Sequence, residues 1–110
     1  FRFHLQIAQA TGNPYFADIM SHLGTTIIPR TRVNAIRNHD RRGEYLSRVN
    51  REHEEIYAAI ARRDPDSARA AMRIHLTNSR ERLRLAQEAA QRDAAQAPGA
   101  AAVPGAGAGA

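Results

Sequence analysis

His53 and His75 are the residues best placed to do chemistry together. Each lies eleven residues from Asp64, one on either side of it. Asp64-Pro65-Asp66-Ser67 reads as a helix start, with a capping acid, a proline at the first helical position and a further acid in the first turn. So short a link makes the helices before and after it antiparallel neighbours. At a rise of about 1.5 Å per residue, both histidines stand roughly 16 Å from the turn, level with each other. Each also falls on the apolar stripe of its helix, so the two imidazoles converge in the interior. That geometry suits a metal ion, with the second ring nitrogen of each histidine held by an outer partner. His4, in an apolar segment at the start of the chain, is a candidate third ligand. The alternative is a set of hydrogen-bonded core histidines, because buried imidazoles need partners whichever role they serve. His22 and His39 fit no ligand spacing and are expected on the surface.

Four helical stretches must position these residues, and no period-two strand pattern competes with them. The fold class expected is all-α, an antiparallel helical bundle. The first helix runs from Phe1 to about Ala10. It carries Phe1, Phe3, Leu5, Ile7 and Ala8, which is too apolar for a surface helix, so it should be buried. Thr11-Gly12-Asn13-Pro14 ends it. The second helix starts near Pro14 with Asn13 as its cap, and carries Phe16, Ile19, Met20, Leu23 and Ile27 on one side until Pro29 kinks or ends it. A polar link is expected through Asn38-His39-Asp40-Arg41-Arg42-Gly43. The third helix then presents Leu46, Val49, His53, Ile56, Tyr57 and Ile60 at three- and four-residue steps. The fourth turns Ala68, Ala71, Met72, His75, Ser79, Leu83 and Ala86 inward, with Arg73, Arg80, Glu81 and Arg84 toward solvent. From about Gln91 onward Ala, Gly and Pro dominate, and a disordered tail is expected over 91–110.

Composition narrows the function classes. The 110 residues have room for one domain, and the folded part expected, 1–90, is small for an independent core. The chain opens at Phe1, in what reads as the middle of an amphipathic helix, as a fragment would. With no cysteine, neither disulfides nor thiolate metal sites are available, which fits a reducing cytoplasm. No apolar run is long enough to span a membrane, and no export signal is visible. The net charge is +5, and all sixteen basic residues are arginine. Aromatic residues are nevertheless few and no recognition-helix pattern stands out, which argues against direct nucleic-acid binding by these residues. His53-Glu54 begins like a zinc-protease signature, but Tyr57 stands where the second histidine belongs. No nucleophile sits beside a base, and no Gly-rich phosphate loop is present, so an enzyme is not expected.

The sequence resembles the FCD domain, the ligand-sensing C-terminal half of FadR-type regulators in the GntR superfamily. The matching segments are Phe3-His4, then Gly12-Asn13-Pro14, then Glu52-His53 with Ile56 and Ile60, then Arg63-Asp64 with Ala68, Ala71, Met72 and His75-Leu76. Their order and spacing hold from residue 1 to about 85.

The resemblance implies a divalent metal held by His4, His53, His75 and an aspartate four residues before the first histidine, a position that falls just before Phe1. The metal implied is Zn²⁺, with Ni²⁺ or Mn²⁺ as alternatives. A small organic acid would complete the coordination and reorient the helices. Arg30 and Arg32 are candidates to bind the acid's free carboxylate, since guanidinium suits that geometry, and Asn78 to orient a hydroxyl or water. The resemblance further implies a homodimer meeting along its first two helices, and DNA contact only through a winged-helix domain absent from this chain. The rival reading is a helical dimerisation module with structural histidines and no metal.

Overall fold

The computed structural model describes residues 1–27 and 39–97, and every regular element among them is a helix. In chain order they are α1 (Arg2–Ala10), α2 (Pro14–Ile27), α3 (His39–Ala61) and α4 (Pro65–Gln96).

The connection from α1 to α2 is set by three residues. Gly12 sits at φ +73°, the left-handed conformation that ends a helix and that glycine adopts without a Cβ penalty. The Thr11 hydroxyl donates to Ala8 O at 2.7 Å and accepts from the Asn13 amide at 3.2 Å. Asn13 caps α2 as expected, its side-chain oxygen accepting the Tyr15 amide at 3.0 Å. The two helices fold back on each other so that the Phe1 ring lies against Gly24, in the space a Cβ there would take.

The connection from α3 to α4 is tighter still. Arg63 N–H donates to Ile60 O at 2.9 Å and Asp64 N–H to Ala59 O at 3.0 Å, the paired bonds of a Schellman ending. Arg63 takes the left-handed position at φ 56°. The Asp64 carboxylate then accepts the Ser67 amide at 3.1 Å, and Pro65 opens α4. The helix start read from Asp64-Pro65-Asp66-Ser67 is therefore realised, and α3 and α4 run side by side.

Burial is shallow and concentrated where α1 meets this hairpin. Ala8, Ile56 and Ala59 are the buried apolar residues among those described, with His4 and His75 the buried polar ones. The face expected to turn inward on α4 does so: His75 is buried, and Ala68, Ala71, Met72, Ser79, Leu83 and Ala86 are half-buried. Other expectations need correction. Residues 39–43, read as a polar link, are helical from His39; the Glu44–Arg48 ion pair one turn apart supports this polar first part of the helix. On α3 the inward face is rotated from the expected stripe, because Glu52, His53, Ile56 and Ala59 lie inside while Leu46, Tyr57 and Ile60 are exposed. α1 buries one face only, with Arg2, Gln6, Gln9 and Ala10 in solvent. The expected apolar side of α2 is open in this chain and contradicts no expectation, with Phe16, Ile19 and Leu23 exposed and Met20 half-buried. The long fourth helix also continues through 91–96, into the stretch expected to be disordered. Residues 98–110 and the Pro29 break lie outside the described residues.

Candidate metal centre

Three helices each deliver one histidine to a common point. His4 comes from the buried face of α1, His53 from the middle of α3 and His75 from the facing turn of α4. The expected level match between His53 and His75 is realised, their ring centroids standing 4.7 Å apart. His4 joins them, with its ring 5.1 Å from His75 and 5.3 Å from His53. One ring nitrogen from each of the three lies within 4.8 Å of the others. His4 and His75 are 8% and 4% exposed, so this is an interior cluster.

The nitrogens are suited to a metal in both spacing and protonation. Donors on a four-coordinate zinc ion stand ~3.3 Å apart when each bond is about 2.0–2.1 Å, and His4 Nε2 and His75 Nε2 are separated by 3.2 Å. His53 Nε2 is buried without a hydrogen-bond partner, a condition that costs about 1–3 kcal/mol unless something accepts its lone pair or its proton. Burial pushes the His4 imidazole down to about 4, helped by the neighbouring His75 and His53. Burial, followed by the nearby His75, likewise pushes His53 to about 4. Both rings are thus neutral at pH 7, the form in which an imidazole ligates.

Glu52 stands directly behind His75. Its Oε2 lies 2.7 Å from His75 Nδ1, and its two oxygens accept from Arg82 Nη1 and Nη2 at 2.8 Å each. Asn78 Nδ2 donates to Oε1 at 2.8 Å. Burial alone would raise the Glu52 carboxyl, but the hydrogen bonds from Arg82, His75 and Asn78, with the Arg82 charge, outweigh it and hold it at about 2. Its bond to Glu52 raises Arg82 in return, against the opposing effect of burial. The Arg82 guanidinium lies 5.5 Å from the Tyr45 ring centroid, within range of a cation–π contact. On the far side of the cluster Phe3 stacks on His53, centroids 4.2 Å apart and planes within 14°.

One helical turn toward the α3–α4 turn, the histidine layer gives way to an apolar one. Ile7, Ile56 and Met72, each three residues from a histidine, line a groove of about 510 Å³ with Ile60, Ala68 and the Arg63-Asp64-Pro65 turn.

The family model for the FCD domain matches residues 1–78. The chain belongs to the FCD family. It is also similar to the HTH-type transcriptional regulator LutR of Bacillus subtilis (strain 168), with 33% identity over 78 residues. That match covers 71% of this chain and 36% of the relative, so the chain spans little more than a third of LutR's length. No solved structure matches.

Within this FCD chain, the structure brings His4, His53 and His75 together and leaves His22 exposed. Asn78, read as a contact for a bound hydroxyl, is exposed and donates to Glu52. Arg30 and Arg32 lie outside the described residues. Sequence reasoning assigned no site role to Glu52, Arg82 or Phe3. The signal for Glu52 was its position, three residues after Val49 and four before Ile56, which puts a carboxylate on a buried stripe where only a partnered one is tolerated.

Proposed function

We propose that this FCD chain is the effector-sensing part of a bacterial transcription regulator, in which His4, His53 and His75 hold a divalent metal and a small organic acid is read beside it. The observation that carries this reading is the convergence of three ring nitrogens from three separate helices, one of them buried without a partner. Zinc suits an imidazole set of this kind, with nickel or manganese as alternatives. The metal would offer an open position to a carboxylate oxygen. Arg30 and Arg32 are the proposed holders of the acid's second charge, and Asn78, one turn from His75, of a hydroxyl.

The chain's own part is mechanical. Because His4 is on α1 and the other two histidines are on the α3–α4 hairpin, anything bound among them sets how α1 seats on that hairpin. Through α1 and the short Thr11-Gly12-Asn13 link, the same seating reaches α2. The face of α2 carrying Tyr15, Phe16, Ile19 and Leu23 is exposed, and it is the proposed homodimer surface. In this reading DNA is contacted by a winged-helix domain outside these 110 residues, in the cytoplasm, and the similarity to LutR, an HTH-type transcriptional regulator, supports it. No helix among the described residues is long and apolar enough to cross a membrane, and the reading assigns no catalysis to the chain.

Elemental analysis of the purified protein tests the proposal. Stoichiometric zinc, nickel or manganese that is lost in His53→Ala and in His75→Ala is the expected result, followed by thermal shifts with hydroxy or sugar acids only when metal is bound. Metal-free protein in a chain that includes the residue preceding Phe1 would overturn it. The exposed α2 face would then support a helical dimerisation module with structural histidines.

A further inference from the structure

We infer that Glu52, held by Arg82 and Asn78, is a positioning residue that fixes the tautomer of His75, so that the Nε2 lone pair of His75 faces His4 and the centre of the cluster. Donors and acceptors decide the tautomer. Arg82 can only donate, and it places two N–H groups on the two Glu52 oxygens at 2.8 Å each. Asn78 Nδ2 occupies a further site on Oε1 at 2.8 Å. A carboxylate engaged by a guanidinium fork and an amide is an acceptor throughout, so the 2.7 Å contact with His75 requires the proton on Nδ1. In a neutral ring that leaves Nε2 bare. His75 Nε2 is the atom 3.2 Å from His4 Nε2, so without metal His4 donates to it and His4 is held as the Nε2–H tautomer.

The arrangement is built rather than accidental. The side chains of Arg82 and Glu52 are 17% and 14% exposed, and burying such a pair is costly unless both ends are used. Tyr45 backs the guanidinium, and the Ser79 hydroxyl accepts from Arg82 Nη2 at 3.2 Å. The network thus runs from Tyr45 on α3 through Arg82 on α4, back to Glu52 on α3 and across to His75. An outer carboxylate of this kind orients a ligating imidazole and raises its basicity, and its loss typically lowers metal affinity about 10–100-fold.

The tautomer assignment stands on its own, while its consequence for metal rests on the function proposed above, so the test separates the two. Long-range proton–nitrogen NMR correlations of the ¹⁵N-labelled full chain, stripped of metal at neutral pH, should show His75 protonated at Nδ1 and bare at Nε2. In Glu52→Gln, whose amide can donate or accept, the Nε2–H form should appear and zinc affinity should fall about 10–100-fold. Arg82→Lys retains the charge without the fork and should show an intermediate shift, which guards against a Glu52 variant that fails to fold. A His75 protonated at Nε2 in the wild-type chain would overturn the inference, as would a tautomer unchanged in a folded Glu52→Gln. A tautomer released by Glu52→Gln in a chain that takes up no zinc would uphold the positioning role and remove the metal reading alone.

Discussion

At the scale of single residues, burial sets the chemistry of the cluster. His4 and His53 titrate near 4 in the folded chain, against 6.5 for an ordinary histidine. Between those values the unfolded chain binds more protons, so stability is intact above about pH 6.5 and is lost as the pH falls toward 4. Glu52 has the same sign in a lower window: its folded value of about 2 lies below the ordinary 4.5, so its contribution is complete above about 4.5 and disappears toward 2. Urea unfolding of the metal-stripped chain should therefore show a midpoint that is flat above pH 7 and declines between pH 6.5 and 4. His4→Gln should flatten that decline, and an equal midpoint at pH 7 and pH 4.5 in the parent chain would show that the imidazoles are not buried neutral. The histidine pair was legible in the sequence because two equal spacings about one turn signal define a height on each of two helices. The carboxylate behind them left only its stripe position between Val49 and Ile56 as a signal, because a charged residue beside a histidine looks like a solvated one until its partner on the other helix is known.

At the scale of elements, two connections hold conformations with a measurable cost. Arg63 adopts φ 56°, which disfavours a residue with a Cβ by about 1–2 kcal/mol. Glycine removes that cost but leaves the unfolded chain more freedom to lose. Arg63→Gly should therefore stabilise the chain by a net ~0.5–1 kcal/mol, read as a higher denaturation midpoint with an unchanged slope. Gly24 presents the opposite case. Alanine is the better helix former by about 0.5–1 kcal/mol, but here its Cβ would occupy the space of the Phe1 ring, and overpacking costs about 1–3 kcal/mol. Gly24→Ala should destabilise by about 1 kcal/mol, and in a Phe1→Ala background the same change should become stabilising. The helix start at Asp64 was readable because capping is local chemistry. The start of α3 at His39 was not, because Arg41, Arg42 and Gly43 carry no apolar period, and their helical state follows from continuity with the hairpin rather than from their own pattern. The rotation of the inward face of α3 had the same origin. Tyr57 and Ile60 satisfy a helical period as well as Glu52 and Ala59 do, and only the placement of α4 decides between the two faces.

At the scale of the whole molecule, the histidine cluster is where three separated stretches of chain meet, and the apolar core around it is thin. Ile56 is the only large side chain among the described residues that is fully buried. His4 and His75 are 71 positions apart, so a ligand shared between them joins the first element to the last. A ligand that binds the folded chain alone adds about 2.7 kcal/mol of stability when present at a hundred times its dissociation constant. For a domain of this size each kcal/mol moves the melting temperature by about 4–8 °C. Stripping metal with a chelator should therefore lower Tm by about 10–20 °C, and restoring zinc should recover it. The recovery should be absent in His53→Ala, although the substitution also removes a buried nitrogen that has no partner and so need not weaken the metal-free chain. Scanning calorimetry of both chains with and without zinc separates the two roles a buried histidine can have. A ligand loses the zinc response, even where loss of the Phe3 stack also lowers its metal-free Tm, whereas a core histidine lowers the metal-free Tm and leaves the response intact.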